Sequence, residues 1–226
     1  MKRIGLIGGM SWQSSALYYS LINELVHDRL GGFHSADCLL ASVDFAEIEL
    51  MQQTGDWDAA GERLAREAAA LELAGADLVV LCTNTMHKVA GAIEEAIDIP
   101  LLHLGDVTAE AVLAAGLDTV GLLGTRFTMQ EAFYRERLES HGLTVIVPTP
   151  EQQAVVNRII YDELVAGVVL DSSRAEYLAI IDSLGAPGVI LGCTEIELLV
   201  GPEDTPLPLF PTTRLHAMAA VDAALA

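Results

Sequence analysis

Lysine is nearly absent from this chain: Lys2 and Lys88 are the only two. A pyridoxal-phosphate enzyme holds its cofactor as a lysine Schiff base. With Lys2 at a frayed start, only Lys88 could serve, which argues against that cofactor. Cations are scarce altogether. Twelve Lys and Arg face 32 Asp and Glu, for a net charge of −20. No broad surface can neutralise a phosphate backbone, so nucleic-acid binding is set aside. The same charge repels anionic lipid, and its simplest role is to keep the protein soluble. No apolar run reaches the ~18 residues of a membrane helix. Met1-Lys2-Arg3 followed by Ile4–Met10 has the outline of a leader. The apolar stretch is broken by glycine, however, and runs into Ser11-Trp12-Gln13 with no small-residue cleavage pattern, so a buried strand and turn is the better reading. Three cysteines, Cys38, Cys82 and Cys193, are too few for a disulfide framework. An odd count fits free thiols in a reducing compartment, and a soluble cytoplasmic protein is expected.

What is present is a long apolar pattern: 52% of the 226 residues are hydrophobic, enough for one large or two small cores. Short runs at Ile4–Ile7, Cys38–Val43, Leu78–Leu81, Leu101–Leu102, Val120–Leu123, Val145–Val147 and Val189–Leu191 read as buried strands. Between them lie amphipathic helical stripes. The first contains Leu17, Leu21 and Leu25, with Ser14 or Ser15 as N-cap and Gly31-Gly32 as stop. Others run over Ala59–Leu73, Lys88–Ile97, Thr128–Leu138, Gln152–Leu164 and Arg174–Leu184. Strand alternating with helix predicts an α/β fold with parallel sheets and helices on both faces.

The chain repeats itself. Gly5-Leu-Ile-Gly8 returns as Gly121-Leu-Leu-Gly124, 116 positions on, and Leu81-Cys82-Thr83 returns as Gly192-Cys193-Thr194, 111 positions on. Both offsets are about half the chain. The repeat predicts two similar α/β lobes related by a pseudo-two-fold axis, with an active-site cleft between them. Ligands of open parallel sheets sit beyond the carboxyl ends of strands, and all four repeated turns fall at such ends.

Gly5-Leu-Ile-Gly8-Gly9 departs from the G-x-G-x-x-G dinucleotide fingerprint, and Asp44 is the only candidate for its acidic partner. Its glycines better suit close approach of a small carboxylate to backbone N–H groups. A lone Cys after an apolar strand is commonly a packed small hydrophobe. Two in matching positions, each followed by Thr, point to chemistry. At a helix N-terminus the dipole is expected to lower the pKa of Cys82 and Cys193 and make thiolate available near neutrality. Cys38 has no such repeat and reads as inert. His87, five residues past Cys82, either pairs with that thiol or packs on a helix. Glu195 either favours a helix N-terminus or orients and reprotonates Cys193. Histidines 27, 34, 87, 103, 141 and 216 and the cysteines show no C-x-x-C or H-x-x-x-H spacing, so no metal site is expected.

Gly8-Gly9-Met10-Ser11-Trp12, Cys82-Thr83-Asn84-Thr85-Met86-His87 and Gly192-Cys193-Thr194-Glu195 resemble the aspartate/glutamate racemase family over essentially the whole chain. Leu30-Gly-Gly-Phe-His-Ser35 and Ser42-Val-Asp-Phe45 bring it closest to the bacterial broad-specificity amino-acid racemase branch. The resemblance implies an isomerase that racemises amino acids without a cofactor, using Cys82 and Cys193 as opposed acid and base. It puts substrate contacts on Met10, Gln52, Thr83, Asn84, Thr85, Thr125 and Thr194, with Glu195 as an auxiliary. It further implies a first lobe of residues 1–105 plus 211–226 and a second of 106–210. The partner is a small amino acid, and a homodimer is the assembly it allows. Family members acting on acidic amino acids grip the distal carboxylate with basic residues near positions matching Met51/Gln52 and Val165. Neither place is basic here, so a neutral side chain such as that of homoserine is favoured. Arg126 is the one nearby cation. A Cys-dependent isomerase or decarboxylase of the same superfamily, or a catalytically silent small-molecule-binding protein, are the other readings.

Overall fold

A computed structural model describes residues 1–226, which divide into two compact units. The first comprises Met1–Leu104 and His216–Ala226; the second is Gly105–Leu215.

In the first unit, strands β1 (Ile4–Gly8), β2 (Cys38–Ser42), β3 (Leu78–Leu81) and β4 (Leu101–Leu102) form one sheet in the order β2-β1-β3-β4. All pairs are parallel, with Ile4 opposite both Cys38 and Leu78. The strands are short and apolar because both faces are covered. Alternation divides them. Ile4 and Leu6 of β1 and Leu78 and Val80 of β3 pack with Tyr18, Ile22 and Val26 of α1 (Trp12–Leu30) and with Ala217, Ala220, Val221 and Ala224 of the C-terminal helix. On the other face, Ile7, Val79 and Leu81 pack against Ile48 of α2 (Phe45–Thr54) and Ala60, Leu64 and Ala68 of α3 (Trp57–Leu73).

Ser11, not Ser14 or Ser15, caps α1: its hydroxyl accepts from Ser14 N–H at 3.3 Å. Ser14 and Ser15 lie inside the helix and are buried, because the helix starts at Trp12, five residues before the first leucine of its stripe. Gly31, at φ 68°, ends α1 as the glycine pair predicts. The Lys88–Ile97 stripe is a 3-10 turn (Thr85–Val89) running into a short α4 (Ala90–Glu94). Helix α5 (Leu104–Ala114) leads into the second unit.

The second unit has the same internal order. Strands β5 (Thr119–Gly124), β6 (Thr144–Ile146), β7 (Val189–Gly192) and β8 (Leu209–Pro211) run parallel as β6-β5-β7-β8. The Thr128–Leu138 stripe is two helices, α6 (Arg126–Gln130) and α7 (Ala132–Ser140), broken at Glu131, whose ψ of 150° is extended. Helix α8 (Pro150–Asp162) opens with a capping box between Thr149 and Gln152 and a proline in its first turn. Val156, Ile159 and Ile160 of α8 and Tyr177, Ile180 and Ile181 of α9 (Asp171–Leu184) pack on Leu123, Val189 and Leu191. Helix α10 (Thr212–Leu225) starts in this unit and ends in the first.

Candidate active site

Each sheet reverses its strand order between its first and third strands, β1/β3 in one unit and β5/β7 in the other. Such switch points open a crevice at the carboxyl ends of the strands. The four repeated turns stand there: Gly8–Ser11 after β1, Cys82–Thr85 after β3, Gly124–Thr125 after β5 and Cys193–Glu195 after β7.

In the first unit the turn after β1 is backbone-tight. Gly9 has φ 95°, and a Cβ there would stand 2.2 Å from the Val43 carbonyl oxygen. Gly8 leaves room for the Ser15 hydroxyl, which a Cβ would meet at 2.4 Å. That hydroxyl accepts from Gly9 N–H (2.8 Å) and donates to the Ser11 carbonyl (3.0 Å). Ser14 donates to the Cys82 carbonyl at 3.3 Å. The two serines join the glycine turn to the cysteine turn. Their signal in the sequence is a pair of small hydroxyls on the core side of an apolar helix, which reads as capping until the helix start is known.

Cys82 is fully buried, its sulfur 3.8 Å from the Val80 carbonyl oxygen. Met10, Gln52, Asn84 and Thr85 are buried beside the same strand ends, and Thr83 is half-buried. Gln52 reaches in from α2 and donates its amide N–H to the Met86 sulfur at 3.0 Å. His87 does not pair with Cys82. Its Nδ1–H donates to the Thr83 carbonyl (2.7 Å), and its Nε2 accepts from Leu104 N–H (3.1 Å). Both nitrogens are occupied in the neutral form, and burial with His103 and His216 nearby holds its pKa well below the ordinary value. Behind it, His216 Nε2–H donates to the Leu102 carbonyl (2.8 Å), and its Nδ1 accepts from Tyr18 OH (3.0 Å). His87 thus ties the Cys82 turn to the start of α5, and the His216 ring packs edge-on against it.

In the second unit Thr125 caps α6, its hydroxyl accepting from Thr128 N–H. Cys193 is half-buried, and its thiol donates to Glu195 Oε2 at 2.9 Å. Thr194 shares a hydrogen bond with Thr213 at 3.1 Å, and Thr212 donates to the Leu191 carbonyl at 3.0 Å. Thr212 and Thr213, at the start of α10, are supports that the sequence reading missed, since nothing in a Pro-Thr-Thr run marks them. Arg126 is exposed, with its guanidinium toward the Phe127 ring.

The expectation of depressed thiol pKa values is overturned. Burial pushes the Cys82 thiol up, and burial followed by the facing Glu195 carboxylate pushes Cys193 well above its ordinary range. The helical segments that follow are 3-10 turns of five residues, Thr85–Val89 and Thr194–Leu198. Their few poorly aligned peptide dipoles cannot offset the cost of burying a thiolate.

A pair of parallel switch-point sheets, each ending a central strand in Cys-Thr, defines an enzyme class with thiols at duplicated turns. The model of the Asp/Glu/hydantoin racemase family matches residues 7–220. This chain belongs to that family and is an isomerase of the racemase type. It is 25% identical to the broad specificity amino-acid racemase RacX of Bacillus subtilis, over 99% of this chain and 98% of that one. It is 52% identical to a Yersinia pestis protein of Asp/Glu racemase type, with a TM-score of 0.96 and complete coverage of both chains. An aspartate racemase homologue from Pyrococcus horikoshii, also fully covered on both sides, is 33% identical with a TM-score of 0.89.

Proposed function

We propose that the protein racemises amino acids without a cofactor, with Cys82 and Cys193 as acid and base on opposite faces of the substrate Cα. The observation that supports this most is the duplication itself: two sheets of the same order, each ending its third strand in Cys-Thr at the switch point. Racemisation needs two like groups, because the proton leaves one face and returns to the other. The thiolate of one cysteine takes the Cα proton, leaving the electron pair on carbon. The thiol of the other gives its proton to the opposite face. The protonation states have then exchanged, and the reverse reaction starts from that state.

The electron pair is the obstacle, since Cα–H is a very weak acid. Donors aimed at the substrate carboxylate stabilise the charge as it develops; Thr83, Asn84, Thr85, Thr125 and Thr194 are the groups proposed for it. Thiolate formation is the other demand, because both thiols are pushed up. Glu195, which already accepts from Cys193, can take that proton and leave the sulfur charged.

The side-chain specificity we propose is broad or neutral. Gln52 offers an amide beside Met86, and Met10 is apolar and buried. A second carboxylate without a cation costs several kcal/mol on burial. Polarimetric assay of an amino-acid panel should give kcat/KM for homoserine at least comparable with that for aspartate or glutamate. Substrate recovered from D2O should carry deuterium at Cα. Turnover of a malonate or an alkene diacid without exchange would instead indicate a decarboxylase or another isomerase. Tight binding without turnover of any enantiomer would indicate a binding protein.

A further inference from the structure

The second unit holds a carboxyl group that the proposed chemistry does not use. Glu197 lies on the five-residue 3-10 turn Thr194–Leu198 that follows Cys193. The residue is half-buried, and its Oε1 is buried with no hydrogen-bond partner. An unpartnered oxygen inside a protein is tolerable in a neutral acid and costly in a carboxylate. Burial accordingly pushes the Glu197 pKa up to about 7, with Arg214 of α10 pulling it partly back. That attraction places no donor on the buried oxygen.

The turn's geometry says what this group can act on. Residues three apart in a 3-10 turn eclipse at a rise of ~2 Å each, so Glu197 follows Thr194 on one face, about 6 Å along. Thr194 shares its hydrogen bond with Thr213, the residue before Arg214, so that face looks at the start of α10. The other ionisable groups around the turn are engaged elsewhere. Cys193 and Glu195 hold each other. Arg174 of α9 donates to the Leu199 carbonyl and pairs with Asp171 and Asp204. Glu163, just before the segment Leu164–Ala166 that packs on the turn, is taken by Arg158 and Ser173. Neither β7 nor β8 carries a charge. Arg214 is the charge that acts on Glu197. A carboxylate bound at Thr194 meets the neutral acid without penalty and the ionised form with repulsion. We propose that Glu197 gates substrate binding: holding its proton it admits the substrate carboxylate at Thr194, and ionised it repels that carboxylate. The inference rests on the reading of Thr194 as a carboxylate contact given above.

The test reads binding and protonation as well as turnover. The probe is 2-aminoisobutyrate, which has no Cα–H and so can bind but cannot react. Calorimetry of the full chain near pH 7.5, in two buffers of different ionisation enthalpy, should show proton uptake as the probe binds. Glu197→Gln should lose that uptake. In a chain carrying 13C at its glutamate carboxyls, one signal, absent from Glu197→Gln, should titrate near pH 7. Its midpoint should rise by about one pH unit with the probe bound, the reciprocal of a roughly ten-fold coupling. KM for a racemised amino acid should rise about ten-fold between roughly pH 6 and 8, and Glu197→Gln should hold it at the low-pH value throughout. Arg214→Ala removes the pull on the carboxyl and should carry the KM rise to higher pH, a shift that loss of a merely structural contact does not produce. Proton uptake without racemisation of any amino acid would strike the racemase reading and leave this inference standing. Absent uptake in wild type, uptake equal in wild type and folded Glu197→Gln, or a Glu197 carboxyl that titrates in the usual carboxylate range overturns it. So does an Arg214→Ala chain whose KM profile stays where it was.

Discussion

The Cys82 turn and the Cys193 turn occupy the same place in two sheets of the same order, yet they surround their thiols differently. Two residues past Cys82 stands Asn84; two past Cys193 stands Glu195, whose carboxylate accepts the thiol proton. Cys82 is sealed from solvent and has only a distant backbone carbonyl oxygen at its sulfur, while Cys193 is half-buried. The first turns differ too. Met10 is buried in the core, and Arg126, 116 positions on, is exposed. The two turns thus share a place in the sheet and a thiol, and differ in the group that faces the sulfur. One thiol donates to a carboxylate; the other meets a backbone carbonyl oxygen, in a turn that buried His87 holds through the Thr83 carbonyl.

The largest effect expected is from removing either thiol. Cys82→Ala and Cys193→Ala should each lower racemisation by about 10³-fold or more, within what positioned acid–base groups contribute. Two single variants that still interconvert enantiomers would break the comparison at its root.

Acid should separate the halves next. His216 is buried neutral, with its pKa pushed down to about 4 by burial. The unfolded histidine takes a proton near pH 6.5, so below that pH the unfolded chain binds more protons and stability falls as pH falls. Between pH 6.5 and 4 this one group should cost about 3 kcal/mol, and buried His87 adds to it in the same direction. Melting curves across that range, with hydrogen exchange to locate the loss, should show the first unit opening before the second.

Glu195→Gln sharpens the comparison, because it makes the second turn resemble the first. A drop in kcat of about 10–100-fold is expected if the carboxylate prepares the thiolate. Enantiomers have equal free energy in water, so kcat/KM stays equal in the two directions for every variant. Asymmetry must therefore show in kcat and KM separately, and an effect under twofold would leave Glu195 a bystander. With iodoacetamide near neutral pH, Cys82 should react about ten-fold or more slowly than a free thiol, gaining rate as pH rises. The smallest effect is Arg126→Ala: exposed and turned to Phe127, it should change neutral-substrate kinetics less than twofold.

Much of the first half of this comparison was legible in the chain. Both turns, their place at strand ends and seven of eight strands follow from apolar runs and glycine punctuation. β8 was missed because Leu209-Phe210-Pro211 is short and sits among prolines, a composition tolerated only at an edge. Helix α2 was hidden because its Asp44 cap follows directly on a run read as strand. The sign of the thiol shifts was not legible at all. Local sequence shows a turn and its dipole, whereas desolvation depends on what the rest of the chain places over the sulfur. The histidine cluster was invisible for a similar reason: positions 87, 103 and 216 meet only in three dimensions.

The return of α10 to the first unit also sets an order of events during synthesis. Ala217, Ala220, Val221 and Ala224 complete one face of the first core, and His216 ties Tyr18 to Leu102. The ribosome makes residues 1–104 before residues 216–226, so the half that is begun earlier must wait, with one side of its sheet covered by α1 alone, until α10 emerges. The second unit is made from one unbroken stretch of chain and needs no later segment to close. A stop codon that removed only the last dozen residues would spare every proposed catalytic group and still strand the first half unfinished.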